Sequence, residues 1–387
     1  MRLFIHALGA SAGGGLTYLR NVVPHLAVHP EVEVSLLAGP EATSQIPGVH
    51  NVHVIHCDAN LRGARSRFLW EQKQVPRLIR DAQADVLLCT GNFALWKSPV
   101  PQILLSRNSL YTSADFARDL WRRRDYRQIA DTWVKGLVAR RSIERAELTV
   151  APSEAFAREL KAWTGRDVVS LHHGFDRDEF FRDPAPLAPS LKEKLQANPA
   201  KVRLLFVSHY NYYRNFETLL RGLAFLKRRY PDGRIQLVLT CELAPGKNPG
   251  SYRTERANEL LRELNISADV VQLGAVAYPQ LHYVYRACQI YVTPAYTETF
   301  AHPLVEAMAC GLPIVASDLE VHREVADGAA LFFERFSPED MAEKVTEVVE
   351  SPSLQSELRA RGLESSARFS WKSHVDKLLE LAKTLVH

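Results

Sequence analysis

The feature that most constrains the fold of this chain is the alternation of short apolar segments with segments of helical periodicity. The short segments are rich in β-branched residues and apolar at consecutive positions, as strands buried on both faces are. Their alternation with helices indicates parallel sheets covered by helices on both faces. In the first half of the chain the predicted strands are Leu3–Ala7, Val32–Ala38, Val52–Cys57, Val86–Cys89, Ile103–Ser106, Leu148–Ala151 and Val168–His172.

A proline-rich segment interrupts this alternation. The segment 183-DPAPLAPS-190 has three prolines in eight residues, which is typical of a linker. The alternation then restarts, and an amphipathic helix within 369–387 ends the chain. The predicted strands of the second half are Arg203–Ser208, Gln236–Thr240, Val270–Leu273, Ile290–Val292, Ile314–Ser317 and Ala330–Phe333.

The predicted fold is therefore of the α/β class, with two doubly wound, Rossmann-like domains. A length of 387 residues fits two domains better than one core. We place the first domain at 1–183, together with the C-terminal helix at about 370–387, and the second domain at 190–369. Ligands of such sheets bind beyond the carboxyl ends of the strands, so two domains in tandem suggest that they face each other across a cleft.

The composition excludes several classes of protein. Hydrophobic residues make up 46% and charged residues 24%, and no apolar segment approaches the roughly 20 residues of a membrane-spanning helix. The N-terminal segment is interpreted as a first strand rather than a signal peptide. A net charge of +4 is too small to argue for nucleic acid as a partner. The cysteines are odd in number, scattered and without C-x-x-C spacing, which favours a reducing cytoplasm over disulfides or zinc sites: Cys57, Cys89, Cys241, Cys288 and Cys310.

A glycine-rich loop, 9-GASAGGGLTYL-19, follows the first predicted strand. Glycines let the backbone approach a ligand, and the N–H groups of the following helix can bind a phosphate. A flexible turn between a strand and a helix explains the loop equally well. The fingerprint G-x-G-x-x-G is absent, so a nicotinamide dinucleotide is not specifically indicated.

Two further segments carry charged residues beside predicted strands. In 205-LFVSHYNYYRNFETLLRGL-223, Arg214 lies where a strand passes into a helix, placed to meet an anion, although a solvated turn arginine would look the same. In 294-PAYTETFAHPLVEAMACGLPIVASD-318, Glu298 precedes a helix predicted at Pro303–Cys310, and Glu306 lies inside it. Both carboxylates could simply stabilise the start of the helix. The apolar neighbours of Glu306 favour instead a carboxylate that binds hydroxyls or a cation.

The segment 294–318 resembles the signature of glycosyltransferase family 4, the retaining GT-B enzymes also called glycosyl transferases group 1. The family pattern is roughly P-S-x-x-E-G-F-G-L-P-x-x-E-A-M-A-C-G-x-P-V-V-A-S. The similarity covers nearly the whole chain, through 13-GG-14 with Tyr18, 151-APSE-154, 173-HGFD-176 and 214-RN-215. The positions that match the signature are Glu298, Phe300, Pro303, Glu306, Ala307, Met308, Ala309, Cys310, Gly311, Pro313, Ala316 and Ser317.

The resemblance implies a GT-B fold, in which the C-terminal helix crosses back to the N-terminal domain, and a role for each matching residue. Glu306 would bind the ribose hydroxyls of a nucleotide, and Glu298 would contact the donor sugar near its reacting carbon. Arg214 would neutralise the diphosphate as it leaves, so Glu298 and Arg214 are the catalytic candidates. The candidates for binding the donor are Gly13, Gly14, Gly15, His209, Arg214, Asn215, Thr299, Phe300, Ala301, His302, Pro303, Leu304 and Glu306.

Three departures from the family pattern affect these roles. The glycines that flank the phenylalanine are Thr299 and Ala301 here, and the following leucine is His302, so the sugar pocket is altered. The pair 208-SH-209 stands where many members have an arginine. The pair 107-RN-108 stands where many members have a His-Asp pair, so no acceptor-side histidine is assigned.

We expect the acceptor, a carbohydrate or glycolipid, to bind on the loops after the strands of the first domain. Aromatic and amide side chains in 91-GNFALW-96 and 107-RNSLYT-112 suit stacking on a sugar and hydrogen bonding to it. The acceptor candidates are Asn92, Arg107 and Asn108.

The predicted activity is retaining transfer of a sugar from a nucleotide sugar to an acceptor hydroxyl, in cell-surface polysaccharide synthesis. A front-face mechanism is expected, in which the departing phosphate assists the acceptor. No cofactor or metal is expected, since the D-x-D string at 176–178 lies in a loop rather than at the end of an apolar strand. Two alternatives stay open: a catalytically silent GT-B protein that binds a sugar or a partner, and a nicotinamide-dependent oxidoreductase or epimerase.

The segment Trp121–Arg145 combines arginines at both ends with apolar residues at helical spacing, namely Ile129, Trp133 and Leu137. Such a helix can lie on an anionic membrane, which would give a cytoplasmic protein a peripheral contact at the inner face of the membrane. An ordinary surface helix that packs its apolar face on the sheet shows the same pattern, and we favour that interpretation.

Overall fold

The computed structural model describes residues 1–10, 14–44, 46, 50–57, 63–182, 186–197, 202–250 and 252–386. Two predicted features fall outside these residues: Gly13 of the glycine-rich loop and 183–185 of the linker.

All thirteen predicted strands are present, each within two residues of its predicted ends. Consecutive aliphatic and β-branched residues form them because such side chains pack well on a sheet that is covered on both faces. The strands are β1 (Arg2–Ala7), β2 (Glu33–Ala38), β3 (Val52–His56), β4 (Val86–Cys89), β5 (Gln102–Leu105), β6 (Leu148–Ala151), β7 (Val169–Ser170), β8 (Val202–Phe206), β9 (Ile235–Leu239), β10 (Val270–Gln272), β11 (Ile290–Thr293), β12 (Ile314–Ser317) and β13 (Ala330–Phe333).

Helices connect most of these strands. Within the described residues, no helix is both long enough and apolar enough to cross a membrane. The helices are α1 (Gly14–Ala27), α2 (Pro40–Thr43), α3 (Ala64–Asp81), α4 (Ala114–Arg122), α5 (Tyr126–Arg145), α6 (Glu154–Thr164), α7 (Arg177–Phe181), α8 (Pro189–Gln196), α9 (Phe216–Arg229), α10 (Glu255–Glu263), α11 (Tyr278–Arg286), α12 (His302–Ala309), α13 (Glu320–Ala326), α14 (Pro338–Glu350), α15 (Pro352–Ser366) and α16 (Trp371–Lys383).

The strands form two sheets, and all their pairings are parallel. The strand order is β3-β2-β1-β4-β5-β6-β7 in the first sheet and β10-β9-β8-β11-β12-β13 in the second. Each order reverses at one point, between β1 and β4 and between β8 and β11. Ligands of doubly wound sheets bind at such a reversal, beyond the carboxyl ends of the strands. The predicted α/β class with two doubly wound units is confirmed.

Packing contacts divide the chain into two compact units. The first unit consists of Met1–Ser113, Arg123–Gly174 and Phe369–His387, and the second of Ala114–Arg122 and Phe175–Arg368. The C-terminal helix thus belongs to the first unit. The sequence-based division, with a first domain at 1–183, differs from this one at α4 and α7, which both pack in the second unit.

Aromatic contacts account for this difference. On α7, the ring of Phe180 is fully buried and lies 6.0 Å from the ring of Tyr285 on α11. On α4, the ring of Phe116 is buried and lies 6.2 Å from the ring of Tyr213. Burying a large aromatic side chain stabilises a helix at the place where the ring packs. These two short helices therefore pack in the second unit, although residues next to them along the chain belong to the first.

The first unit has a core on each face of its sheet. Successive side chains of a strand alternate, so Leu3 and Ile5 of β1 enter one core and Phe4 enters the other. The first of these cores also contains Trp371 of α16. Gly174 permits the close approach of this helix, because a side chain at 174 would overlap the backbone at the start of α16.

Candidate functional site

The candidate site of the second unit lies at the reversal between β8 and β11. These strands are direct neighbours, with Ile290 opposite Leu204 and Tyr291 opposite Leu205. Because the strands are parallel, the loops that follow them leave the same edge of the sheet. Arg214 lies on the loop after β8, and Glu298 on the loop after β11.

Two asparagines fix the backbone around Arg214. The Asn211 side chain accepts a hydrogen bond from the Arg214 N–H at 3.1 Å and caps a short 3₁₀ turn over Tyr212–Arg214. Asn215 has a left-handed backbone with φ of 53°, and its side chain accepts from the Thr218 N–H at the start of α9. Asparagine favours both the capping and the left-handed conformation, so the local sequence dictates where Arg214 lies.

Arg214 and Glu298 form an ion pair. The Arg214 Nη1 donates to Glu298 Oε2, and Glu298 Oε1 accepts from the Thr299 N–H at 3.0 Å. The two side chains are only 20% and 11% exposed, so water screens this charge interaction little. We call these residues the Arg214–Glu298 pair.

The pair shifts the pKa values of both of its members. Burial alone would raise the pKa of Glu298, but the Arg214 guanidinium and the Thr299 N–H outweigh burial and hold that pKa below its ordinary value. Burial would lower the pKa of Arg214, but the carboxylate prevails and raises it. Both groups are therefore ionised at neutral pH.

The surroundings of the pair are aromatic and uncharged. Arg214 Cζ lies 5.2 Å from the centre of the Tyr213 ring, a distance typical of a cation–π contact. Burial raises the pKa of Tyr213 although Arg214 opposes the shift. Burial, aided by Arg214, lowers the pKa of His209. The Tyr213 and His209 rings beside the Arg214–Glu298 pair are therefore uncharged at neutral pH.

The loop before α12 keeps a glycine-like conformation without a glycine. Ala301 has φ of 64° and ψ of 58°, which lies in the left-handed region, and it directly precedes α12. The family that this segment resembles has glycine at this position, and glycine adopts this conformation with less strain than alanine does. Pro303 lies in the first turn of α12, where a missing N–H costs nothing. The departure at 301 therefore leaves the path of the backbone intact.

Glu306 lies on α12 and is 6% exposed. Its Oε2 accepts a hydrogen bond from the Tyr285 hydroxyl at 2.8 Å. The same hydroxyl lies 3.1 Å from the Pro303 carbonyl oxygen, so it has a second acceptor within reach. Burial and the neighbouring Glu306 hold the pKa of Tyr285 well above its ordinary value, so the hydroxyl keeps its proton and acts as a donor. Sequence reasoning missed Tyr285, since a tyrosine on an amphipathic helix carries no motif.

His322 on α13 is a second residue that sequence reasoning missed. It is fully buried, and its Nδ1 lies 2.8 Å from the Ser317 carbonyl oxygen. A carbonyl only accepts hydrogen bonds, so Nδ1 carries the proton in the neutral ring. Burial lowers the pKa of His322, although Ser317 and Glu298 oppose the shift, and the ring is neutral at pH 7. The Ser317 hydroxyl in turn bonds to the Ala295 carbonyl and ties the end of β12 to the loop that carries Glu298.

The candidate acceptor residues of the first unit meet at the reversal between β1 and β4. The Asn92 side chain accepts from the Arg107 N–H at 2.7 Å. The Arg107 guanidinium donates to the carbonyl oxygens of Gly14 at 2.9 Å and Thr90 at 2.6 Å. Burial lowers the pKa of Arg107 to about 10, which still leaves it charged at neutral pH. Arg107, Asn92 and Gly14 thus lie together at one edge of the sheet.

Two other predicted residues of the first unit, Gly15 and Asn108, have contacts that fix the local backbone. A side chain at Gly15 would come within 3.1 Å of the Ala10 backbone, a tight contact that favours glycine there. The Asn108 side chain accepts from the Leu110 N–H at 3.0 Å and caps the turn over Ser109–Tyr111. Asn108 is therefore positioned by the backbone of its own loop.

A buried polar cluster at the same edge was not predicted. His6 Nε2 and Arg67 Nε each lie 3.4 Å from Glu71 Oε1. His6 and Glu71 are both buried. The sequence signal that could have predicted this cluster is the histidine inside the apolar first strand. A polar residue on a buried face needs a polar partner.

The D-x-D string has a structural use in the described chain. The Asp176 side chain accepts from the Glu179 N–H at 2.9 Å and caps α7. This contact agrees with the structural interpretation of the string.

Comparison with known proteins identifies the family. The model for "Glycosyl transferases group 1" matches residues 188–365, and the model for "Glycosyltransferase Family 4" matches residues 12–179. Together the two matches cover most of the chain. The chain belongs to the group 1 glycosyltransferases with the GT-B fold, as the signature in 294–318 predicted.

Individual relatives agree with this assignment. The D-inositol 3-phosphate glycosyltransferase 2 of Catenulispora acidiphila is 30% identical over 237 residues, which are 60% of this chain and 54% of that protein. The chain thus spans about half the length of the curated relatives that it matches. Sucrose-phosphate synthase from Thermosynechococcus elongatus has a similar fold, with a TM-score of 0.79, 18% identity, and coverage of 99% of this chain and 98% of that one. Anabaena HepE in complex with UDP and glucose gives a TM-score of 0.69, 18% identity and 99% coverage of both chains.

Proposed function

We propose that this protein transfers a sugar from a nucleotide-sugar donor to a hydroxyl group of a carbohydrate or glycolipid acceptor, with retention of anomeric configuration and without a metal ion. The observation that carries the proposal is the Arg214–Glu298 pair at the reversal between β8 and β11, with Glu306 on the helix that follows. The structure of HepE with UDP and glucose supports UDP as the first nucleotide to test.

In this proposal the leaving group gains charge as the sugar departs. The bond between the anomeric carbon and the phosphate oxygen breaks, and its electron pair goes to that oxygen. A guanidinium that is already fixed in place stabilises this charge without reorganisation, which is the role of Arg214. The N–H groups at the start of α12 support it, because the N-terminal end of a helix attracts anions.

The acceptor step completes the transfer. The acceptor oxygen forms a bond to the anomeric carbon on the face that the phosphate leaves, and its proton passes to the departing phosphate oxygen. Glu298 orients Arg214 and contacts the sugar in this scheme. Glu306 binds the ribose, held in place by Tyr285. The pKa of Glu298 is held low, so this carboxylate is not a reservoir of protons at neutral pH.

The acceptor is proposed to bind near Arg107 and Asn92 in the first unit. Arg107 has no carboxylate partner among the residues that the structure describes, so its charge is available to a ligand. A role in cell-surface polysaccharide synthesis is part of the proposal. It is supported by the similar fold of WaaG, a glycosyltransferase involved in lipopolysaccharide biosynthesis. The TM-score with WaaG is 0.67, at 15% identity.

A thermal-shift screen tests the proposal. UDP, GDP, ADP and dTDP would be added to the full chain, because a ligand that binds only the folded state raises Tm. We expect one of them to raise Tm, and the matching nucleotide sugar to be turned over with retention by proton NMR of the product. If none of the four shifts Tm while NADH binds, the oxidoreductase alternative replaces this proposal. If a nucleotide binds but no nucleotide sugar is ever turned over, the silent GT-B alternative holds.

A further inference from the structure

The helix α5 places its largest apolar side chains in solvent. Gly136, Ala139, Ser142 and Ile143 form its buried face. Trp133 and Leu137, which we expected to pack on the sheet, lie on the other side. We define the α5 stripe by its four exposed members, with their exposed fractions: Tyr126 61%, Trp133 66%, Val134 42% and Leu137 51%.

The members of the α5 stripe lie on one face of the helix. Residues spaced by three, four and seven positions share a face, and the spacing from 126 to 133 to 137 follows this rule. An exposed run of Tyr, Trp, Val and Leu is unusual on the surface of a folded protein, where single exposed apolar residues are the norm. The favoured interpretation of the segment as an ordinary packed helix is therefore wrong for Trp133 and Leu137.

Basic residues flank the stripe. Arg127, Arg140 and Arg141 lie beside it on the exposed side of α5. Arg140 and Arg141 share one carboxylate, Glu144, at 3.6 and 3.0 Å, and in the described structure Arg127 has no acidic partner. Within α5 itself there are five basic and two acidic residues, a net charge of +3. The whole chain carries only +4, so this one helix is more positive than most of the protein.

We propose that the α5 stripe and its flanking arginines bind the surface of an anionic lipid bilayer, with α5 lying in the plane of the membrane. Trp and Tyr are amphipathic and suit the headgroup level, while Val134 and Leu137 reach the acyl boundary. Each arginine near an anionic bilayer adds electrostatic attraction to the lipid headgroups. The proposed membrane surface does not depend on the transfer reaction, so it can be tested independently of the proposed function.

Charge decides between a bilayer and a second copy of the chain. In a symmetric dimer the same patch meets itself, so the basic residues Arg127, Arg140 and Arg141 of one copy would lie close to those of the other. Like charges repel each other at such short distances, whereas the phosphate headgroups of a bilayer neutralise them.

The segment 121–145 also contains a break between two helices. The helix α4 ends at Arg122, α5 begins at Tyr126, and Arg124 between them has φ of 52°. The proposed surface is therefore α5 alone rather than the whole segment.

Vesicle co-sedimentation of the full chain tests this inference. One set of vesicles contains phosphatidylcholine with phosphatidylglycerol, and the other contains phosphatidylcholine alone. We expect binding to the first set at low salt, at least tenfold weaker binding to the second set, and a loss of binding in high salt. The double variant Trp133→Ser/Leu137→Ser should lose at least tenfold in affinity, because both side chains are exposed and the fold does not depend on them.

Matched controls separate the stripe from surface changes in general. Val28→Ser removes an apolar side chain that is 67% exposed at the end of α1, and it should bind like the wild type. Arg127→Gln/Arg141→Gln should weaken binding, while Arg158→Gln on α6, whose side chain is 62% exposed, should not. Absence of binding to anionic vesicles, or equal binding by the Trp133→Ser/Leu137→Ser variant, would overturn the inference. A dimer in sedimentation velocity that this variant dissolves would also overturn it, by showing that a second copy covers the stripe.

Discussion

Glu306 offers the sharpest single test of how the second unit binds a nucleotide. If Glu306 binds the ribose, the Glu306→Ala variant loses a hydrogen bond to a charged acceptor, which contributes roughly 1.5–3 kcal/mol. About 1.4 kcal/mol is a factor of ten in affinity, so Kd for UDP should rise roughly tenfold to a hundredfold. Isothermal titration calorimetry of UDP against the full chain measures this change.

The structure also predicts that the Glu306→Ala variant keeps its fold. Without the carboxylate, the Tyr285 hydroxyl can still donate to the Pro303 carbonyl oxygen, which lies 3.1 Å away. The Tyr285 hydroxyl then still has an acceptor, so the variant should keep a cooperative thermal transition. A second variant, Tyr285→Phe, removes only the group that holds Glu306 and should weaken UDP binding by a smaller factor.

The control is Glu343→Ala, which removes an exposed carboxylate of the same unit on α14. It should leave Kd unchanged. An affinity of Glu306→Ala within twofold of the wild type, in a protein with an intact thermal transition, would refute the ribose assignment. A collapsed thermal transition would instead refute the account of Tyr285 and its second acceptor.

Three further predictions follow from the geometry. Ala301→Gly should stabilise the protein by about 1 kcal/mol in urea unfolding, because glycine relieves the left-handed backbone at that position; a loss of stability would contradict the assigned conformation. Burial lowers the pKa of His374 to about 4, from an ordinary value near 6.5, so the unfolded chain binds more protons between these values. The free energy of unfolding should therefore fall by about 3 kcal/mol as the pH drops from about 6.5 to about 4. The His374→Phe variant should lack this part of the pH dependence. If its free energy of unfolding falls with pH as steeply as that of the wild type, the role assigned to His374 is wrong. Transfer should continue in excess EDTA, since Arg214 is proposed to neutralise the leaving group; a complete loss that Mg²⁺ restores would assign that role to a metal.

The sequence predicted the sheets well because the relevant signal is local. A strand buried on both faces must be apolar at consecutive positions, and all thirteen predicted strands were found. The meeting of Arg214 with Glu298 was also within reach of the sequence. Each residue follows a strand, and loops after neighbouring parallel strands leave the same edge of the sheet.

Other features depend on tertiary packing and leave no local pattern. Tyr285 and His322 lie on helices that pack beside the site, and nothing in their own segments marks them. The α5 stripe shows a related limit: helical periodicity reveals that a helix has an apolar face, but not which face the rest of the chain covers. The positions of α4 and α7 were missed for the same reason, because single buried rings, Phe116 and Phe180, decide where these helices pack.

The Arg214–Glu298 pair is the centre of this account, and turnover of a nucleotide sugar tests it most directly. Release of UDP from UDP-sugars would be measured for the wild type, for Arg214→Ala, and for Arg256→Ala as a control on α10 of the same unit. We predict that Arg214→Ala lowers kcat by at least a hundredfold with a smaller change in KM, because the charge it stabilises develops as the bond breaks. A change confined to KM, or wild-type turnover in Arg214→Ala, would contradict the catalytic role assigned to the pair.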